Sequence, residues 1–188
     1  ILTDHHEIPS EIPEAYAVVH PRYPEANYPC GDLSGAGVAF KLAHALLGEF
    51  PEEMVELAAI GTIADLVSLT DENRTIAKLG IAQMKRTQRI GLVSLLEKLS
   101  VKMDKLDEKT IGFQIGPRLN ALGRLGDATP GVQLLTTFDD EEAANIVDFM
   151  QSENERRQAI VNQIVEEATP LIEAQTNQPI LVLAQPGW

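Results

Sequence analysis

Apolar residues along this chain recur mostly at three- and four-residue spacing, the mark of helices with one buried face. In CGDLSGAGVAFKLAHALLGEF (30–50), Val38, Leu42, Ala45 and Leu46 fall on one stripe, entered through glycines and closed by Gly48 and Pro51. PEEMVELAAIGTIADLVSL (51–69) begins with a proline suited to a first turn and two glutamates that complement the positive helix end. Its centre is apolar on every side, which predicts a buried helix. TDENRTIAKLGIAQMKRT (70–87) predicts a third helix, with Thr70 as its cap, acids in the first turn, and Lys85 and Arg86 at the end. GLVSLLEKL (91–99) predicts a short fourth helix, and residues 100–108 a polar connection. In TIGFQIGPRLNALGRLGD (110–127) glycines and a proline interrupt helical spacing, so the pattern does not set the helix ends.

From Asp139 to Gln175 the pattern is that of one long helix, with Ile146, Met150, Ile160, Ile164, Ala168 and Leu171 on a stripe. QSENERRQ (151–158) is polar all round, as in a helix that bridges two lobes through solvent, and Pro170 kinks or ends it. Strand character is confined to the two ends. The residues before TDHH and the run Ala15–His20, stopped by Pro21 and Pro24, read as short strands. QPILVLAQPGW (178–188) reads as a strand that opens a further domain. No internal repeat is visible. The predicted class is α/β, rich in helix.

Composition narrows the function. Hydrophobic residues make up 44% and charged residues 23% of the 188, ordinary values for a soluble globular protein. The net charge of −13 is the opposite of the usual nucleic-acid footprint, so an anion site needs a local basic cluster, whereas divalent cations suit the bulk charge. The single cysteine, Cys30, excludes a disulfide framework and a cysteine-rich zinc site and is compatible with a reducing cytosol. No signal peptide or membrane-spanning run is visible, which implies a cytoplasmic protein with no membrane partner. The chain opens on Ile, inside a strand, and reads as a piece of a longer protein.

Three stretches could carry chemistry. Asp4, His5 and His6 in TDHHEIP are either a solvated loop cluster or part of a metal site completed from elsewhere. Asp65 lies among apolar residues in AAIGTIADLVSL, and is either a buried acid held by amides or an arginine, or an acid kept ionised by a divalent cation. If they share an ion, Asp65 and the histidines explain one another. In GPRLNALGRLGDA (116–128), Arg118 and Arg124 stand six residues apart with Asn120 and Asp127 nearby, and Gly116, Gly123 and Gly126 let the backbone approach a ligand. The arginines either bind phosphate or salt-bridge within an acidic protein. SGAGVAFK (34–41) is a weaker phosphate candidate at a helix start.

TDHH, LSGAGVAFKL, GTIADLVSL and above all IGPRLNALGRLGDA together resemble the RecJ family of bacterial single-strand-specific exonucleases, in the DHH phosphoesterase superfamily. The resemblance runs through essentially the whole chain. It implies two divalent cations, Mn2+ or Mg2+, with His5 as a metal ligand and Asp65 as the later, bridging-type acid. His6 would contact the scissile phosphate or orient the site, and Asp4 would support the histidines or the metal. Arg118, Asn120 and Arg124 would hold DNA phosphates. The family's earlier aspartate motifs and the glycine-rich motif of its second domain are absent from these residues.

The resemblance further implies that residues 1–138 are the latter part of a DHH domain, 139–176 a connecting helix, and 177–188 the start of a second domain. The expected reaction is hydrolysis of single-stranded DNA from the 5′ end to mononucleotides, in recombination and repair, with single-stranded DNA, a single-strand-binding protein and a helicase as partners. Two alternatives stand beside it. One is a DHH phosphodiesterase for short oligonucleotides or cyclic dinucleotides. The other is a non-catalytic, replisome-associated homologue.

Overall fold

A computed structural model describes residues 1–24, 26–174 and 180–188. The chain opens with strand β1 (Leu2–Thr3), which pairs in parallel with β2 (Val18–Val19), Leu2 opposite Val18. The crossover between them carries the Asp-His-His triplet immediately past the end of β1. Helix α1 (Gly35–Leu47) starts at Ser34, whose Oγ accepts the Gly37 N–H at 3.0 Å, and ends at Gly48, which takes a left-handed φ of 73°. Val38 and Phe40 are buried, but Ala45 and Leu46 are exposed. The predicted stripe therefore holds only for the first half of α1, which leaves the core after its second turn.

A single 3-10 turn (Glu52–Met54) leads into α2 (Val55–Ala64), which buries seven of its ten residues, as its all-round apolar pattern predicts. The helix ends at Asp65 rather than running on to Leu69. Leu66 takes a left-handed φ of 59°, and the loop that follows is held from outside. Nδ2 of the buried Asn73 donates to the carbonyls of Ser68, at 3.0 Å, and Asp32, at 2.7 Å. Side-chain capture of this kind replaces the helical ladder.

Helix α2 is clasped between α1 and α3 (Asp71–Met84). A Cβ on Gly61 would lie 2.3 Å from that of Ala36, and one on Gly80 would lie 2.2 Å from that of Ala59 and 2.5 Å from the Val55 carbonyl oxygen. Both crossings are too close for any side chain.

Helix α4 is Ile90–Lys98. The stretch whose ends the pattern left open is one continuous helical run. It comprises α5 (Glu108–Thr110), a π-helical segment (Ile111–Ile115) and α6 (Gly116–Leu125). The cause of the π segment is Pro117, which has no N–H for the ladder and whose ring would press on the preceding turn. The Gly116 N–H reaches back five residues to the Ile111 carbonyl, and the helix widens there instead of stopping. Helix α7 (Thr129–Thr136) escaped the sequence pattern. It is seeded by Asp127, whose carboxylate accepts from the Thr129 N–H and hydroxyl, and it buries Leu134.

Helix α8 (Asp140–Glu173) runs through Pro170. Its buried face is Ala143, Val147, Met150 and Asn154, not the longer predicted stripe; Ile160 and Leu171 face solvent. The polar stretch 151–158 is correspondingly not solvated all round, because Asn154 is 1% exposed and Gln151 receives a hydrogen bond from α6. The strand expected over 178–188 is absent from residues 180–188, and residues 178 and 179 lie outside the described residues. Strand-like sequence alone does not make a strand without a partner edge. Among the described residues no helix is long and apolar enough to cross a membrane.

Two cores result. One lies under β2, α1, α2 and α3, around Leu33, Val38, Val55 and Ile76. The other joins α2, α4, the π segment, α6, α7 and α8, around Ile60, Leu92, Ile115 and Met150. Helix α2 contributes to both, so its C-terminal end is rigidly placed.

Candidate functional site

Two backbones meet at the candidate site. The first is the turn after β1. Oδ1 of Asp4 accepts the His5 N–H at 2.8 Å and the His6 N–H at 3.4 Å, and takes His6 Nδ1 at 2.7 Å. The hydrogen bond from the His6 ring, helped by the His5 amide, holds the Asp4 carboxyl down at about 2. The ring of His6 is open to solvent, while His5 is turned inward with 18% of its side chain exposed.

The second backbone is the end of α2, where Asp65 caps the helix. His5 Nδ1 lies 3.5 Å from Asp65 Oδ2. Residues sixty apart in the chain are thus brought face to face, because β1 ends beside the point where α2 ends. Asp65 is not the buried acid that its apolar neighbours suggest. Its side chain is 44% exposed, because α2 stops there and releases it to the surface.

A cleft of about 290 Å³ opens over this pair, lined by His5, Ser34, Gly35, Gly61, Asp65 and Asn120. The 3.5 Å separation is close to the roughly 3 Å edge of an octahedral ion with bonds near 2.1 Å; imidazole with carboxylate is a donor set that suits Mn2+, and the carboxylate alone suits Mg2+. The residues present therefore fit two positions of such an ion. Among the described residues no three His, Cys, Asp or Glu side chains gather at one point.

The stretch 116–128 divides between two surfaces. Asn120 reaches the cleft, and Arg124, one turn further along α6, is exposed on the same side. Arg118 sits about 120° around the helix from Arg124. It is half-buried, and donates from Nε to Gln151 Oε1 and from Nη1 to the Gln114 carbonyl, both at 2.8 Å. Burial pulls its guanidinium below the ordinary arginine value. Asp127 serves α7. The expected Arg118–Arg124 pair thus does not converge.

Behind the triplet lie residues that no motif in the sequence singles out. His20, 8% exposed, approaches the His6 carbonyl with Nε2 at 2.9 Å, and its Nδ1 accepts the Arg22 N–H at 3.0 Å. An acceptor at Nδ1 puts the proton on Nε2. Arg22 donates from Nε to the Gly31 carbonyl at 2.9 Å and from Nη2 to Asp32 Oδ1 at 3.0 Å, and Asp32 Oδ2 accepts the Ser68 N–H at 3.0 Å. The Ser68 amide and the Arg22 charge hold the Asp32 carboxyl below its ordinary value. Only the position of His20, straight after an apolar strand, could have drawn notice.

Residues 1–62, which carry the strand-end Asp-His-His triplet, match the DHH family, N-terminal domain. Within that family the similarity is to RecJ. The chain is 48% identical over its whole length to the single-stranded-DNA-specific exonuclease RecJ of Bacillus subtilis, covering 24% of that protein. It is 35% identical over 97% of its length to RecJ of Thermus thermophilus, covering 27% of that protein. Among solved structures, T. thermophilus RecJ in complex with Mn2+ matches 89% of this chain and 26% of its own, at a TM-score of 0.79 and 35% identity. RecJ from the same organism in complex with Mg2+ matches 81% of this chain at 0.69. The chain spans about a quarter of the length of these relatives.

Proposed function

We propose that this chain forms the histidine-and-aspartate side of the catalytic centre of a metal-dependent exonuclease. The reaction is hydrolysis of single-stranded DNA from the 5′ end to mononucleotides, in cytoplasmic recombination and repair. The observation that carries the reading is the 3.5 Å approach of His5 Nδ1 to Asp65 Oδ2 beneath an open cleft. Similarity to RecJ over the whole chain supports it, as do the Mn2+ and Mg2+ bound to structural relatives.

When bound, two divalent cations supply the charge that activates a water and stabilises the attacking and leaving oxygens. The chain's own part is positional. His5 and Asp65 are the ligand pair. Asp4 fixes the His6 ring through Nδ1, which leaves Nε2 free to orient the scissile phosphate. Asn120 offers an amide from the cleft wall, and Arg124 offers a guanidinium to the next phosphate along the strand. Arg118 we assign to holding α6 on α8.

In this reading residues 1–138 belong to a DHH domain, 139–176 connect it onward, and 177–188 begin a second domain. A single-strand-binding protein and a helicase are its working partners. The test uses the full natural protein that carries this chain, with 5′-phosphorylated single strands and Mn2+. His5→Ala and Asp65→Asn should each abolish mononucleotide release while the fold is kept. Wild-type turnover in either folded variant would overturn the ligand assignment. Faster turnover of dinucleotides than of long strands would move the substrate to short oligonucleotides.

A further inference from the structure

We propose that His20, Arg22 and Asp32 form a brace that sets the distance between His5 and Asp65, and so act as positioning residues for that pair. The inference rests on the metal-binding reading of His5 and Asp65 given above.

The triplet and Asp65 lie on separate loops. Among the described residues no backbone hydrogen bond joins residues 4–6 to residues 61–70. What joins them is a run of side-chain bonds. It starts at the carbonyl of His6, next to the ligand His5, and passes through His20 to the Arg22 amide. It continues through the Arg22 guanidinium to Asp32, and ends on the amide of Ser68, three residues past Asp65. Asn73, 1% exposed, holds the Asp32 and Ser68 carbonyls from below.

The loop after Asp65 needs such a hold. Leu66 makes the last bond back to the helix, from its N–H to the Ile63 carbonyl at 3.3 Å, and is in the left-handed region with 88% of its surface exposed, so beyond it neither the helical ladder nor burial fixes where the chain goes. Asp32 supplies that anchor, and its other oxygen, through Arg22 and His20, ties the same anchor to the histidine turn. A link between ligand-bearing loops that avoids the ligands themselves can set their spacing without occupying the cleft.

The experiment titrates MnCl2 into the 188-residue chain and follows paramagnetic broadening of the His5 ring resonances, which needs no turnover. Asp32→Asn and His20→Ala should require roughly ten times more Mn2+ for half-broadening, the usual size of an outer-shell effect. His20→Gln keeps a donor for the His6 carbonyl and should stay within about twofold of the unsubstituted chain. Asp65→Asn reports on the underlying reading.

If Asp65→Asn weakens Mn2+ binding but the folded Asp32→Asn and His20→Ala do not, the brace is refuted and the metal pair stands. If Asp65→Asn has no effect either, both fall. If the variants lose Mn2+ only in step with lost amide dispersion, the residues merely hold the fold and the proposal fails.

Discussion

Arg118 and Arg124 carry the same charge and have opposite surroundings. Arg118 has committed its Nε and one Nη donor to Gln151 and Gln114, and burial pulls its guanidinium below the ordinary arginine value. The Arg124 side chain makes no hydrogen bond or ion pair among the described residues and stands on the cleft side of α6 with Asn120. Phosphate contacts release counterions, with a slope of roughly 0.7 in log affinity per log salt for each single-strand contact. Arg124→Ala should therefore flatten the salt dependence of single-strand binding by about that amount. Arg118→Ala should leave the slope alone and lower the melting temperature. A salt titration of both variants, with circular dichroism for folding, checks this, and a lost slope in Arg118→Ala alone would reverse the assignment. The distinction was half legible in the sequence. Residues six apart on a helix cannot share a face, whereas Asn120 and Arg124, four apart, must. What no spacing reveals is that Gln151, on another helix, takes the Arg118 Nε donor.

At the scale of elements, apolar periodicity located the helices well and their ends less well. Helix α2 is the clearest case. Its buried centre follows from AAIGTI, but its end at Asp65 depends on Asn73 capturing the next loop from α3. The π segment before Pro117 has a local cause in proline, yet the choice to widen rather than stop depends on burying Ile111 and Ile115. Packing around α2 is testable at its tightest crossing. Gly80→Ala places a methyl 2.2 Å from the Ala59 Cβ and 2.5 Å from the backbone oxygen of Val55, which cannot give way as a side-chain tip can. Overpacking of this kind costs about 1–3 kcal/mol. A thermal melt should show a clear fall in midpoint, and an unchanged midpoint would mean that α2 and α3 do not cross as closely as described.

For the whole molecule, stability should follow burial. Helix α2 belongs to both cores, whereas α8 buries no side chain beyond Asn154. Local opening is cheapest where few apolar contacts are lost. Amide hydrogen exchange should be slowest in α2 and in residues 143–154 of α8, and fastest in the helical residues 155–173. Protection of that last stretch equal to that of α2 would contradict the burial pattern.

The sequence by itself determined the helix-rich class, the burial of α2 and the chemistry on offer: the Asp-His-His turn, the acid at 65, and the Arg-Asn-Arg stretch. These are local properties, carried by residue type and spacing. Tertiary structure decided the rest. It set His5 beside Asp65, exposed an acid that its neighbours would bury, and separated Arg118 from Arg124. It also brought His20, Arg22 and Asp32 behind the triplet, and left the 180–188 run without a strand. Each depends on contacts between distant segments, where a side chain's role follows from what folds against it.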